Sequence, residues 1–317
     1  MRLAKLLNFS IVASFALLIT PNASPAYAAP SPLQVVKELL SRPAARLDYV
    51  EAAISIDQLI AKDANTSETR AMVARLADAA QQLAGPHPSD AYKLAAVRQA
   101  IYVAGAWNHG RAFAYDLQDP LRRNLGSRLL STYVRTRKGN CVSMPILFLI
   151  VADRLGLNVH LAMAPLHLFV RYTDPAGVDH NLEATSGGHE ARNDWYRTNL
   201  PMTDQAIRSG AYMRTLSKRE TIAAMATTVM DFLLGERRYQ EAVDVADAII
   251  AANPRDAYTF AKKGSAIAGI IDVEYTRAYA GPSAVPAPLR ARLAALAKAN
   301  AQAFREAEAL GWRDSLK

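Results

Sequence analysis

Apolar residues recur at helical intervals along the first third of the chain. In DYVEAAISIDQLIAKD, Val50, Ile54 and the Leu59-Ile60 pair share one stripe. In SETRAMVARLADAAQQLAG, Met72, Val73, Leu76, Ala80 and Leu83 do the same, with Ser67 as the N-cap candidate. Gly85-Pro86-His87-Pro88 stops that helix. SDAYKLAAVRQAIYVAG begins another, which ends near Trp107-Asn108-His109-Gly110. A proline among polar residues makes 116–125 an irregular loop.

The period then changes. Residues 141–155 form a nearly unbroken apolar run that reads as a helix ending at Gly156. Val159–Ala164 alternates, and LHLFVRY (166–172) reads as a half-buried strand. Asp174-Pro175-Ala176-Gly177 is turn chemistry, so 178–185 returns as a second strand. After about Ser217 the chain is alanine-rich and helical, and Leu289, Leu293, Leu296, Phe304 and Leu310 mark a last amphipathic helix. The expected organisation is a leader at 1–28, a helical region at 33–125, an α+β core at 126–216 and a second helical region at 217–317.

The leader is expected from the N-terminus. Arg2 and Lys5 precede an apolar stretch, Leu6 to Ile19, and Ala26-Tyr27-Ala28 offers a small-x-small cleavage pattern. The apolar stretch is shorter than the roughly 20 residues that span a bilayer. A cleaved secretory signal and a periplasmic or secreted mature chain follow, with no membrane association after cleavage. Loss of Arg2 and Lys5 lowers the formal charge from +8 to +6. No Lys/Arg block with interleaved aromatics is present, so a nucleic-acid partner is not expected.

Export sharpens the question of Cys141, the one cysteine among 317 residues. A lone thiol in an oxidising compartment is either buried and inert, or present for its reactivity. RKGNC places it at the N-terminal end of the apolar helix, where unpaired N–H groups favour a thiolate. Arg137 and Lys138 can add positive potential, and Gly139 permits a tight entry. A thiol nucleophile needs a base. His167 shares a strand face with Phe169 and Arg171, while Leu166, Leu168, Val170 and Tyr172 form the opposite, core-facing side. In HNLEATSGG, Asn181 and Glu183 fall on one face. If Thr173 pairs with Gly177 across an odd, three-residue loop, Glu183 lies directly opposite His167 and Asn181 opposite Phe169. Cys141, His167 and Glu183 then form a thiol, a base and an orienting acid. The backbone N–H of Cys141 is one oxyanion donor, with Trp107 or Asn108 as side-chain candidates and Asn181 as further support.

RKGNCVSMPILFLIVADRLGL, PLHLFVRY and NLEATSGG together resemble the bacterial transglutaminase-like superfamily over about residues 110–200. The resemblance implies a papain-like core, with Cys141 as nucleophile, His167 as base and Glu183 in the acid position. That acid is usually aspartate in the animal enzymes and is glutamate here. GERRYQEAVDVADAIIAANPRDAYTF resembles the second half of a tetratricopeptide repeat, with Tyr239, Ala242 and Pro254 at its packing positions. The fold expected is thus α+β and predominantly helical, with tetratricopeptide-like helices after the core.

The function expected is attack on amide bonds of peptides or envelope polymers through a thioester, ending in hydrolysis or acyl transfer. The alternative is a non-catalytic scaffold that binds a protein partner through the C-terminal helices. Neither cofactor nor metal is expected, since no histidine pair has the spacing of a zinc motif. Ser143 and Ser186 lack a nucleophile elbow. Arg192, Asn193, Asp194, Trp195 and Tyr196 can line a cleft after the hairpin, but read rather as a surface loop with one packed aromatic.

Overall fold

Asn65, rather than Ser67, starts the longest N-terminal helix: its Oδ1 accepts from Glu68 N at 3.0 Å. The structure, a computed structural model, describes residues 30–119 and 124–313; the expected leader and part of the 116–125 loop lie outside them. Four helices come first: α1 (Pro32–Ser41), α2 (Tyr49–Ile60), α3 (Thr66–Ala84) and α4 (Asp90–Tyr102). On α3 the stripe of Met72, Val73, Leu76 and Ala80 is buried, while Leu83 is turned to solvent. Gly85, at φ +78°, ends the helix in a conformation that suits glycine.

A two-stranded parallel pairing follows, β1 (Ala114–Tyr115) with β2 (Lys138–Gly139), spanning the short helix α5 (Leu130–Thr136). Helix α6 (Ser143–Arg154) is the central element. Every residue from Ser143 to Ala152 is buried, which explains why its sequence has no polar face. It starts two residues later than its apolar run suggests, because Cys141 and Val142 form a turn.

The sheet is antiparallel in the order β3 (Val159–Ala164), β4 (His167–Thr173), β5 (Asp179–Glu183), β6 (His189–Ala191). Strand β6 had no expected counterpart; three residues are too few for a period to register. Leu166 does not belong to β4. It occupies the β3–β4 turn, 58% exposed, with Ala164 paired directly to His167. The remaining expected core side of β4 holds: Leu168, Val170 and Tyr172 join the main core. The other face is covered too, by a small cluster of Ala162, Ala164, Phe169 and Tyr196. Tyr196 comes from α7 (Asn193–Asn199), a helix where a loop was expected.

After α8 (Asp204–Arg208), the chain runs along the free edge of β3. Met213 N donates to Met163 O at 2.8 Å and Leu216 N to Leu161 O at 2.9 Å. It then enters α9 (Lys218–Gly235), α10 (Tyr239–Ala252), α11 (Ala257–Ile271) and α12 (Ala287–Ala309). Close approaches join these helices. A Cβ on Gly269 would stand 2.5 Å from the Tyr239 ring, and one on Gly264 would stand 2.7 Å from Phe304. From Ser31 onward the chain packs as a single unit, and α2 and α9 are neighbours although far apart in sequence. The architecture is α+β, 63% helical, with a small antiparallel sheet.

Candidate active site

The turn that presents Cys141 is fixed from three directions. Ala114 N donates to Arg137 O at 2.9 Å and Asp116 N to Gly139 O at 2.7 Å. The Asn140 carboxamide oxygen accepts from Val142 N at 2.9 Å, and its Nδ2 donates to Ser127 Oγ at 2.8 Å. Ser143 Oγ donates to Ser127 O at 2.8 Å. A Cβ on Gly139 would lie 2.6 Å from both Ser143 Oγ and the Tyr133 ring, so the glycine is needed for close packing. Met144 N donates to Asn140 O at 3.0 Å, which carries the α6 hydrogen-bond ladder back across the cysteine. Cys141 therefore stands at the positive end of that helix.

The β3–β4 turn then clamps the cysteine. Its thiol donates to Leu166 O at 3.5 Å, and Leu168 N donates to Cys141 O at 3.3 Å. His167 lies between these two contacts, so the main chain brings its ring to the thiol. Leu166 holds φ +55°, a left-handed conformation that costs a non-glycine residue roughly 1–2 kcal/mol.

Glu183 reaches His167 by a register that differs from the expected one. Asp174 N donates to Val178 O at 2.9 Å, so the three-residue loop is Pro175-Ala176-Gly177. Arg171 pairs with Asn181 and Val170 with Leu182, so Glu183 faces Phe169 and is the diagonal neighbour of His167. The loop is still odd, and the two side chains share a face. His167 Nε2 lies 2.7 Å from Glu183 Oε2. Glu183 Oε2 also accepts from Tyr196 O–H at 3.0 Å, and Oε1 accepts from Thr185 N at 3.0 Å and Thr185 O–H at 2.5 Å. Nε2 is thus committed to the carboxylate, leaving Nδ1 for the sulfur.

The electrostatics follow from these contacts. Burial is the largest single influence on His167 and opposes its charge. Hydrogen bonds and charge interactions with Cys141 and Glu183 outweigh burial and push it up to about 9. For Glu183, burial works against ionisation, but the His167 and Thr185 contacts hold it below the ordinary carboxylate value.

Other expected members are used elsewhere. Trp107 Nε1 donates to Ala100 O at 3.0 Å, and Asn108 Nδ2 donates to Val103 O at 2.7 Å, so neither is an oxyanion donor. Asn181 Nδ2 ties β5 to Ala191 O at 3.1 Å and to Asn193 Oδ1 at 2.7 Å, and so supports the sheet edge. Arg137 turns away from the thiol, its guanidinium 4.4 Å over the Phe113 ring in the helical layer. The expected site does not include Thr185, Asn140 or Ser127, and Tyr196 is expected only within a surface segment that can line a cleft. Asn140, three residues before α6, accepts from Val142 N in the turn that leads into the helix. An asparagine ahead of an apolar run is a capping signal that could have been read.

Cys141 is 3% exposed and borders two hollows. An outer cleft of about 410 Å³ includes Tyr115, Leu117, Pro165 and Leu200 in its lining. An inner cavity of about 170 Å³ lies against α9 and α11. Leu166 and His167 border both.

A helix-end thiol, a strand histidine and an acid on the next strand thus meet at one place in the α+β fold. Residues 67–227 match the transglutaminase-like superfamily. That match spans half of the chain, and the chain belongs to this superfamily. Two relatives come from Buchnera aphidicola. The UPF0162 protein BU173 of the Acyrthosiphon pisum symbiont (strain APS) is 25% identical over 227 residues, covering 69% of this chain and 79% of the relative. A UPF0162 protein of the Schizaphis graminum symbiont (strain Sg) is 25% identical over 175 residues, covering 50% of this chain and 57% of the relative. No solved structure is matched.

Proposed function

We propose that the chain is an exported thiol enzyme acting on amide bonds of peptides or envelope polymers. His167, protonated beside the sulfur, favours the Cys141 thiolate. The thiolate attacks the amide carbonyl, His167 gives its proton to the departing amine, and a thioester remains. Water or a primary amine then attacks the thioester with His167 as base, and the Cys141 thiol leaves. Glu183 orients the ring and stabilises imidazolium throughout.

The observation that carries this reading is the 2.7 Å contact between His167 and Glu183, with Cys141 bordering the same two hollows as the ring. Export rests on the basic, apolar and small-residue pattern of residues 1–28. Among the described residues, no helix is long and apolar enough to cross a membrane.

The test is the pH profile of Cys141 alkylation by iodoacetamide on the folded chain. Labelling that stays fast down to about pH 6, and slows in His167→Ala, supports the enzyme. Labelling that follows an ordinary thiol would overturn it. The second reading, a scaffold that binds protein through tetratricopeptide-like C-terminal helices, draws on the 3% exposure of Cys141. A Cys141→Ala chain that retains its full cellular phenotype would favour that scaffold.

A further inference from the structure

Leu166 combines two features that stability alone does not favour in a leucine. Its backbone is left-handed, at φ +55°, where a side chain crowds the main chain and a glycine would not. It is also 58% exposed, in a turn of the sheet rather than in the core. The same turn brings Leu166 O to the Cys141 thiol, 3.5 Å away. A glycine would supply that carbonyl with less strain, so the contact does not explain the side chain. Strain held beside a nucleophile points to a task for the residue that bears it.

The outer cleft supplies that task. Leu166 lies in its wall with Tyr115, Leu117, Pro165 and Leu200, and Leu117 is 82% exposed. Two large aliphatic residues thus meet water within one cleft that also holds Cys141 and His167. Thr185, the hydroxyl-bearing residue of this wall besides Tyr115, donates its O–H to Glu183 Oε1. Apart from Cys141, His167 is the one charged group among the described lining residues, and its Nε2 is held by Glu183 at 2.7 Å. A charged guest would lose water here without a partner to replace it, whereas an apolar guest would cover leucine surface. The inner cavity offers less. It measures about 170 Å³ against about 410 Å³, and its Arg128 and Asp231 are paired to each other at 2.6 Å.

We propose that the outer cleft is a subsite for one aliphatic side chain of a peptide substrate, next to the scissile amide, and that Leu166 and Leu117 select it. This deepens the thiol-enzyme reading and rests on it. The favoured substrate carries an aliphatic residue beside the amide, not an acidic, basic or sugar group. Leu166 then acts twice, with its carbonyl on the sulfur and its side chain on the substrate.

Alkylation of Cys141 in the full chain tests this with iodoacetamides that differ in the group on nitrogen: isobutyl, 2-hydroxyethyl, carboxymethyl and 2-(trimethylammonio)ethyl. Each rate is divided by the rate on the same chain unfolded in urea, which removes the intrinsic reactivity of the reagent. The isobutyl reagent should be favoured about tenfold over each of the others. Leu166→Asn keeps nearly the size of leucine and suits a left-handed backbone, so it should weaken the preference several-fold without straining the turn. Leu117→Ser, at an exposed position, should weaken it as well. Equal normalised rates for the isobutyl and hydroxyethyl reagents, faster labelling by either charged reagent, or a preference that survives Leu166→Asn would overturn the subsite. A preference lost in Leu166→Asn but intact in Leu117→Ser would put the guest in the inner cavity and overturn the outer assignment. The comparison of reagents needs no substitution, so a misfolded variant does not blunt it. The pH profile with plain iodoacetamide separates the two readings. An ordinary thiol profile with an intact aliphatic preference removes the enzyme but leaves the apolar site, and fast labelling at pH 6 without preference removes the site alone. A folded chain that no reagent labels would overturn both.

Discussion

His167 and Glu183 meet on a diagonal, 2.7 Å apart between Nε2 and Oε2, although Glu183 stands opposite Phe169. Diagonal neighbours on adjacent strands are roughly 7–8 Å apart at the backbone, farther than directly opposed ones. A glutamate has the extra methylene that this diagonal requires.

Glu183→Asp and Glu183→Gln should therefore both release His167 from its elevated titration. With Glu183 in place His167 is pushed up to about 9. Aspartate cannot span the diagonal, and glutamine keeps the length but loses the charge. Each variant should lower the His167 midpoint by about one unit or more, toward the ordinary value near 6.5. NMR titration of the imidazole resonances reads this directly. A midpoint left unchanged in Glu183→Gln would mean that the carboxylate does not hold the ring charged.

Tyr196→Phe isolates one hydrogen bond. The Tyr196 ring stacks on Phe169 with centroids 4.2 Å apart, and phenylalanine keeps that packing. What disappears is the O–H donated to Glu183 Oε2 in a fully buried setting. A hydrogen bond to a charged group contributes about 1.5–3 kcal/mol, so urea denaturation should show a loss of that order near neutral pH. Below the pH at which Glu183 protonates, the difference should shrink.

Gly139→Ala should damage the turn that presents the thiol. The new methyl would meet Ser143 Oγ and the Tyr133 ring at 2.6 Å, and the ring is itself packed edge-on to Phe113. Ser143 cannot yield without disturbing the Ser127–Asn140–Ser143 network, and the Tyr133 ring is fully buried. Overpacking of this kind costs about 1–3 kcal/mol. A lowered Tm together with altered Cys141 labelling is the expected pair of results, and an unchanged Tm would show that the turn can relax.

The site was legible where local chemistry sets it. Residue types and parity placed Cys141 in the first turn of a core helix, two residues earlier than the helix begins, and put His167 and Glu183 on one face of the sheet. The register was shifted because the turn is fixed by the Asp174 side chain, which accepts from Ala176 N and Val178 N, and no alternation pattern reports that choice. Arg137 was misjudged because its left-handed backbone, at φ +64°, turns the side chain into the helical layer. Tyr196 and Arg128 were out of reach for another reason. Their partners, Glu183 and Asp231, are 13 and 103 residues away, and nothing in the local pattern announces such pairings.

Asp57 links the N-terminal helices to the thiol turn, and its ionisation should show in stability. It lies on α2, 3% exposed, and accepts from Ser131 N at 2.7 Å at the start of α5, the helix that leads into Gly139 and Cys141. Burial pushes it up to about 6, against partial relief from its hydrogen bonds to the α5 N-terminus. A carboxyl raised in the folded state contributes its full stability below the unfolded value near 3.9 and loses it as pH climbs through about 6. The carboxamide introduced by Asp57→Asn keeps an acceptor for Ser131 and does not titrate. The stability of the parent chain relative to the variant should therefore be flat below about pH 4. It should fall by about 1.4 kcal/mol per pH unit between roughly 4 and 6, and level off above. Urea midpoints of both chains at pH 4, 5, 6 and 7 measure it. Parallel curves would place the Asp57 titration outside this window, and a difference that grows in the opposite direction would mean that α5 stabilises the charged form more than burial opposes it.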